Sequence, residues 1–214
     1  SSDVCSSDLS LFFLICLTAA FLNGSVTGQE ALPRDSKVIF VADGDTIQLQ
    51  TGNFVRLLGI DTPEKGQEYY AKAKDYVRKT VLGKRVTLEY GPEERDDYGR
   101  LLAYVWVEQG GNRRCLNEEL LSRGLAHIYF VNKRERHREE FLLAQREAIL
   151  LRRGLWKLKL VETEHYYISS DKSHVFHRPR CRWARFIRYE NIRFFFSKED
   201  AYLEGLSPCR SCQP

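Results

Sequence analysis

The first part of the chain alternates apolar and polar residues with the two-residue period of β-strands. Val38 and Phe40 fall in one such run and Ile47 and Leu49 in the next, and a polar stretch around Gly44 separates the two runs. Successive side chains of a strand point to opposite faces, so the pattern predicts two half-buried strands joined by a turn. The following run, FVRLLGI, predicts a third strand.

A helical period replaces the alternation in the next segment. Residues 67–82 place Ala73, Tyr76 and Val77 on one side and basic residues on the other, and Gly83 suits the end of a helix. The runs KRVTLEY and RLLAYVWVE predict two more strands, and helices are expected at LNEELLSRG and at residues 135–151. Five strands with a helix after the third and about three helices in all predict a mainly β, Greek-key barrel of the OB-fold type.

The composition changes near residue 160. Residues 166–214 are rich in aromatic residues and carry the whole excess of positive charge in a chain whose net charge is +4. A segment this short rarely folds on its core alone. We therefore expect a barrel domain at residues 37–160, able to fold and act by itself, and a separate small module at 166–214.

The first 28 residues are expected to lie outside the folded protein. The opening SSDVCSSDL resembles a cloning or sequencing scar, and the following apolar run has the length and the small terminal residues of a signal peptide. This predicts a secreted or periplasmic protein with no stable membrane association once the signal is cleaved. An uncleaved membrane anchor is the alternative.

Four pieces of sequence carry residue types that hydrolyse phosphodiesters. They are DGDT at 43–46, Arg56, DTPE at 61–64 and DDYGR at 96–100. Carboxylates hold hard divalent cations and can orient a water molecule, while arginine offers a planar fork of donors to phosphate oxygens. Each piece alone also suits a turn, a strand edge or a helix N-cap, so the prediction depends on all four together.

Order and spacing make residues 37–156 resemble the staphylococcal nuclease (thermonuclease) family. The matching pieces are DGDT, RLLGIDTPE, DYGR followed by LAY, and the ending RRGLW. The resemblance implies an OB-fold barrel and Ca²⁺-dependent cleavage of DNA and RNA to 3′-phosphate ends.

The same resemblance implies a role for each site residue. The Ca²⁺ ligands are Asp45, Asp61 and the carbonyl of Thr62, and Glu64 orients or deprotonates the attacking water. Arg56 and Arg100 hold the scissile phosphate, and Tyr98 contacts a neighbouring one. Two tyrosines of the family's base-binding surface correspond here to Phe130 and Asn132. Phe130 is expected either to stack on a base or to belong to the core.

The C-terminal module contains four side chains at the spacing of a zinc site. His177 and Cys181 are followed, after 27 residues, by Cys209 and Cys212. Thiolates and imidazole in two such pairs suit tetrahedral Zn²⁺, and metal binding would stabilise a segment with little core. The alternatives are a Cys209–Cys212 disulfide, a pair of reduced thiols, or His174 as the nitrogen ligand.

This module resembles the metal-binding domain of the Ada alkylation-repair protein. The shared features are F-x-R-P-x-C and the ending G-x-x-P-C-x-x-C-Q-P, although His177 replaces the cysteine that accepts a methyl group in that family. Imidazole can hold zinc but lacks a reactive thiolate. We therefore expect a structural Zn²⁺ site that aids stability or nucleic-acid binding, rather than repair.

Together these features predict a monomeric, secreted endonuclease that acts on DNA, RNA or both. It would use catalytic Ca²⁺ and structural Zn²⁺. A non-catalytic OB-fold nucleic-acid-binding protein is the first alternative, and an intracellular alkylation sensor is the second.

Overall fold

Strands of the N-terminal part close into a barrel, and a second sheet follows near the C-terminus. The computed structural model describes residues 31–131 and 135–214, so the expected scar and signal segment and Asn132 lie outside the described residues. The strands are β1 Asp35–Val41, β2 Thr46–Leu49, β3 Phe54–Leu57, β4 Gly59–Asp61, β5 Arg85–Arg95, β6 Leu101–Gln109, β7 Asn112–Cys115, β8 His127–Tyr129, β9 Tyr167–Ser170, β10 Val175–His177, β11 Ile192–Phe195 and β12 Ser207–Pro208. The α-helices are α1 Tyr70–Val81, α2 Leu116–Ser122, α3 Arg138–Leu150 and α4 Lys198–Leu203.

The barrel consists of β1, β2, β3, β5 and β6. Neighbouring strands pair antiparallel in the order β3-β2-β1-β5-β6, and β3 then pairs parallel with β6 to close the barrel. Inward-facing residues of every strand are buried, among them Val38, Ile47, Val55 and Val105. The sequence-based prediction of a five-stranded OB-fold barrel with helices is confirmed.

The expected third strand is interrupted. Gly59 has φ of +74°, a backbone conformation that favours glycine, and here the chain leaves the barrel. The residues after this bend form β4, which pairs with β8 outside the barrel. The bend places Asp61 beside the barrel mouth rather than on its wall, and this position matters for the site.

The C-terminal segment forms a four-stranded sheet in the order β11-β9-β10-β12. Tyr167, Phe176 and Phe195 are the centre of its core, and Ala201 of α4 closes one side. This small core is consistent with the expectation that a further stabilising element is needed.

Buried contacts join the barrel part to the C-terminal segment, and residues 33–214 form one compact unit. The amide of Gln145 in α3 accepts a hydrogen bond from the Ile128 N–H at 2.7 Å and donates one to the Tyr202 carbonyl at 2.6 Å. The Tyr202 ring packs edge-on against Trp156, with 5.0 Å between ring centroids. A fully buried amide with both ends satisfied fixes its two partners relative to one another.

None of the helices in the described ranges combines the length and the apolar character that crossing a membrane requires.

Candidate active site and metal centre

The turn between β1 and β2 brings the first carboxylate to the barrel mouth. Gly44 is needed there, because a Cβ atom would lie 2.7 Å from Oγ1 of Thr62 and 2.9 Å from Cβ of Ala73. Without a side chain at this position, the segment after β4 and the helix α1 can approach the turn closely. The DGDT motif is therefore packed against the DTPE motif.

Asp45 is buried and joins these two motifs directly. Its Oδ2 accepts hydrogen bonds from the main-chain N–H and from Oγ1 of Thr62, both at 3.0 Å, and Thr46 donates its hydroxyl to Oδ1 at 3.2 Å. The Asp45 N–H in turn donates to the carboxylate of Asp43 at 3.1 Å. Burial, followed by the charge of Asp45, raises the pKa of Asp43.

Arg56 lies between the two expected Ca²⁺-binding carboxylates. Its Nη2 is 3.1 Å from Oδ2 of Asp45 and 2.6 Å from Oδ1 of Asp61. Its Nη1 donates to the main-chain carbonyls of Leu57 and Ile60 at 2.9 Å each, so the guanidinium has a fixed orientation. One positive group thus contacts both carboxylates and offsets their mutual repulsion.

Arg100 lies on the other side of the same turn. It donates from Nε to Oδ2 of Asp96 at 2.7 Å, and its Nη1 is 3.5 Å from Oγ1 of Thr46. Burial of Asp96 opposes its ionisation, but hydrogen bonds and charge from Arg100 outweigh burial and lower the pKa of Asp96. Tyr98 is 85% exposed and lies 5.4 Å from the Arg100 guanidinium, so its hydroxyl is open to a ligand.

Glu64 lies at the edge of a cleft that begins at this site. Its side chain is exposed, and its N–H donates to the side chain of Gln67 at 2.7 Å. The cleft has a volume of about 760 Å³ and is lined by Asp61, Glu64 and Tyr129 from one part of the chain and by Arg210 from the other. An exposed carboxylate at such a position can reach a water molecule beside a bound phosphate.

Phe130 does not line this cleft, so of the two expectations for this residue the core position fits and the base-stacking surface is corrected. The side chain is only 3% exposed. The His174 ring of the C-terminal segment lies 6.1 Å from its ring, and the Arg138 guanidinium of α3 lies 4.7 Å from it, so both parts of the chain cover this side chain. Tyr129, Trp156 and Tyr202 are aromatic residues that line the cleft instead.

The four residues of the predicted zinc site come together. The ligand atoms of His177, Cys181, Cys209 and Cys212 all lie within 4.8 Å of one another. The three cysteines are free thiols, so the structure does not contain the alternative Cys209–Cys212 disulfide. His174 is not in the cluster, and its Nδ1 instead lies 3.4 Å from a guanidinium nitrogen of Arg138.

Several features fit this cluster to a metal ion. Nδ1 of His177 is buried and has no hydrogen-bond partner among the described residues. Burial lowers the pKa of His177 and so favours the neutral imidazole that binds metals. Burial of Cys181 opposes thiolate formation, but hydrogen bonds from the N–H groups of Trp183 and Ala184 and from the thiols of Cys212 and Cys209 outweigh it and lower the pKa of this thiol. Three sulfurs and one nitrogen at this separation are the ligand set of structural Zn²⁺.

Comparison with known proteins agrees with this architecture. The family model for staphylococcal nuclease homologues matches residues 54–158. The thermonuclease of Staphylococcus hyicus is 36% identical over 129 residues, which cover 56% of this chain and 74% of that protein. This chain belongs to the staphylococcal nuclease family. It is therefore a nuclease, an enzyme that hydrolyses phosphodiester bonds of nucleic acid.

Three further comparisons concern this nuclease. The metal binding domain of Ada matches residues 161–214. An uncharacterized endonuclease of Escherichia coli is 36% identical over 125 residues, covering 56% of this chain and 75% of that protein. Endonuclease YhcR of Bacillus subtilis is 34% identical over 200 residues, covering 77% of this chain but 16% of that much longer protein. The match to YhcR thus extends well beyond the nuclease segment.

Sequence reasoning missed two residues of the cleft. The family's base-binding tyrosine corresponds to Phe130, so the sequence predicted no role for the neighbouring Tyr129. Arg210 lies between two zinc-site cysteines, and it meets Asp61 although 149 positions separate them. A basic residue inside a C-x-x-C pair is visible in the sequence, but no sequence pattern relates it to the nuclease motifs.

Proposed function

We propose that this nuclease is a secreted, Ca²⁺-dependent enzyme that cleaves DNA and RNA to products with 3′-phosphate ends. The observation that supports this most strongly is the convergence of Asp45 and Asp61 on one nitrogen of Arg56. Two carboxylates brought together at a barrel mouth beside further arginine donors suit a cation and a phosphate better than they suit the stability of the barrel.

The proposed Ca²⁺ ligands are the carboxylates of Asp45 and Asp61 and the carbonyl of Thr62. All are hard oxygen donors, which is the ligand chemistry of this ion. When bound, Ca²⁺ would neutralise these carboxylates and polarise the scissile phosphate. Hydrogen bonds from Thr62 fix the orientation of Asp45, so that carboxylate needs little rearrangement.

Glu64 is proposed as the residue that takes a proton from the attacking water. The hydroxide attacks phosphorus, the bond to the 5′ oxygen breaks, and that oxygen leaves with its electron pair and is protonated by solvent. The phosphate remains on the 3′ carbon. An exposed carboxylate at the cleft suits this role because it can accept the proton and release it to water.

Arg56 and Arg100 are proposed to bind the phosphate from two sides, and Tyr98 a neighbouring phosphate. Both arginines are held by acceptors of the protein, Arg56 by main-chain carbonyls and Arg100 by Asp96. Donors that are oriented before the reaction stabilise the growing negative charge at no further cost in reorganisation. The exposure of Tyr98 would allow its hydroxyl to contact the nucleic-acid strand outside the cleft.

The C-terminal module is proposed to bind one structural Zn²⁺ through His177, Cys181, Cys209 and Cys212. Metal binding would stabilise a sheet whose own core is small. We further propose residues 37–160 and 166–214 as the boundaries of the two modules, a monomeric state, and export by the N-terminal segment. The basic surface of the second module would add contacts to the phosphate backbone.

A cleavage assay with purified protein separates this proposal from a non-catalytic binding protein. Single-stranded DNA and RNA are incubated with Ca²⁺, Mg²⁺ or EDTA, and the product ends are identified by mass spectrometry. The expected result is cleavage with Ca²⁺ to 3′-phosphate ends, and its loss in Glu64→Gln. Binding without cleavage under every condition would favour the non-catalytic alternative.

A further inference from the structure

Arg210 connects the zinc cluster with the nuclease site. It lies between Cys209 and Cys212, and its Nη2 is 3.4 Å from Oδ1 and 3.3 Å from Oδ2 of Asp61. Its guanidinium also lies 4.5 Å from the ring centroid of Tyr129. A residue of the C-terminal module thus reaches a carboxylate that we propose as a Ca²⁺ ligand.

The pairing of Arg210 with Asp61 is loose. Charge-assisted N–H···O bonds usually measure about 2.7–2.9 Å, shorter than either distance here. The Arg210 side chain is 65% exposed, whereas the side chain of Arg56 is 12% exposed and committed to main-chain carbonyls. The guanidinium of Arg210 therefore remains available to an anion in the cleft, with its stem and plane supported by Tyr129.

The guanidinium of Arg210 is positively charged at this position. An arginine guanidinium stays protonated throughout the physiological pH range. The guanidinium is thus a permanent positive group at the edge of the active site.

The composition of the cleft indicates what Arg210 would bind. Asp61, Glu64 and Glu68 line it, so a nucleic-acid strand that continues from the scissile phosphate into the cleft meets negative charge. Arg210 and Lys159 are the basic residues among those that line it. The volume of about 760 Å³ lies within the range of pockets that hold small organic ligands, which is the size class of a nucleotide.

We propose that Arg210 is a substrate-binding residue of the nuclease, which binds the phosphate next to the scissile one on the strand that enters the cleft. A phosphate offers the guanidinium two oxygens, and a cation at Asp61 would weaken the hold of that carboxylate on Arg210. The C-x-x-C pair places Arg210, so the zinc module completes the nuclease site. This inference rests on the proposed function of Asp61 and Glu64.

The test measures binding separately from cleavage. In the inactive Glu64→Gln background, a fluorescent single-stranded DNA oligonucleotide is titrated in Ca²⁺ at several salt concentrations. Arg210→Ala is expected to lower the affinity severalfold and to reduce the slope of log affinity against log salt by about 0.7, the value for one phosphate contact to a single strand.

Arg113→Ala is the matched control. Arg113 also stacks on an aromatic residue, Trp106, at 4.5 Å, but it does not line the cleft. Its removal deletes the same charge and the same kind of stacking, and it should leave affinity and salt slope close to those of the background. Equal affinity and slope for Arg210→Ala and Arg113→Ala would overturn the proposal and leave Arg210 as a contact between modules.

Melting temperature and zinc content of every variant are measured on the same samples. If Arg210→Ala unfolds early or loses zinc, Arg210→Gln replaces it, because glutamine keeps part of the stem over Tyr129. Cleavage by the protein with Glu64 and Arg210 intact is measured in parallel. Cleavage there together with unchanged binding in the Arg210 variants would contradict this inference alone, whereas no cleavage would contradict the proposed function.

Discussion

Nη2 of Arg56 lies 2.6 Å from Oδ1 of Asp61, while Nη1 of the same guanidinium donates to the main-chain carbonyl of Ile60. The arginine therefore binds the carboxylate and the backbone that carries it. Because Ile60 and Asp61 belong to β4, this pair of contacts fixes the strand end from which the site is built.

Arg56→Lys is expected to reduce the turnover number by about 10²–10³-fold, the usual effect of losing one oriented donor to the transition state. A lysine has a single ammonium group and cannot contact Asp61, Ile60 and a phosphate in one plane. The measurement is single-turnover cleavage of an oligonucleotide. Arg78→Lys is the control, because Arg78 forms an exposed ion pair with Asp75 on α1. Similar cleavage rates for both variants would show that Arg56 does not bind the phosphate.

Gly44→Ala tests the close packing of the two acidic motifs. The new methyl group would meet Thr62 and Ala73 at less than 3.0 Å, so Thr62 must shift and its hydrogen bonds to Asp45 weaken. We expect a loss of about 1–3 kcal/mol in the free energy of unfolding and reduced cleavage. Denaturant titration and cleavage are measured together.

Gly91→Ala is the control for this prediction. Its methyl group would lie 2.8 Å from Cδ1 of Leu58, but that atom is the end of a flexible side chain and can move. We expect a smaller loss of stability and unchanged cleavage. Equal effects in the two variants would mean that contact with Thr62 has no special role.

The barrel and the two acidic motifs could be predicted from the sequence because they depend on local patterns. Strand alternation predicted β1 and β2, and the family resemblance carried by the DGDT and DTPE motifs pointed to Asp45 and Asp61, which both contact Arg56, at 3.1 Å and 2.6 Å. Such patterns involve residues of one element or residues close together in the chain, so the sequence alone shows them.

Other features depend on contacts between distant segments, and the sequence did not reveal them. A bend at Gly59 divides the expected third strand, because β4 finds its partner in β8 rather than in the barrel. Phe130 is covered by residues more than 40 positions later in the chain, including His174. The meeting of Arg210 with Asp61 likewise follows only from how the C-terminal sheet packs on the rest of the protein.

Cys212→Ser is expected to release zinc. The purified protein should contain about one Zn²⁺ per chain, and a hydroxyl group is a poor replacement for a thiolate ligand. Metal content is measured by elemental analysis, and the melting temperature of the variant should fall because metal binding contributes to folding. Cys115→Ser changes a buried thiol outside the cluster and should retain the zinc. Zinc-free protein with unchanged stability would contradict the structural role.

Removal of residues 161–214 is expected to destabilise the barrel part, although the sequence suggested that it folds alone. The deletion would uncover the side chains of Phe130 and Trp156, which are 3% exposed. Losing the burial of a large apolar side chain costs about 1.5–3 kcal/mol. Thermal unfolding of the truncated protein should begin at least several degrees lower than that of the full chain.

A single substitution in the full chain also tests whether the C-terminal segment stabilises the barrel part. Tyr202→Ala removes the ring that packs against Trp156 and should lower the melting temperature, whereas Tyr189→Ala removes a ring that is 89% exposed and should not. A truncated protein that melts like the full chain would show that the barrel part is independent.

The dependence of cleavage on Ca²⁺ in the unaltered protein and in Asp61→Asn tests the central proposal most directly. Asparagine keeps the shape of the side chain but removes the charge that attracts both the cation and Arg56. Asp75→Asn, a change of an exposed aspartate on α1, is the control. We predict Ca²⁺-dependent cleavage by the unaltered protein and by Asp75→Asn, and its loss by several orders of magnitude in Asp61→Asn at every Ca²⁺ concentration. Undiminished cleavage by Asp61→Asn, or full cleavage by the unaltered protein in excess EDTA, would contradict a calcium site at Asp45 and Asp61.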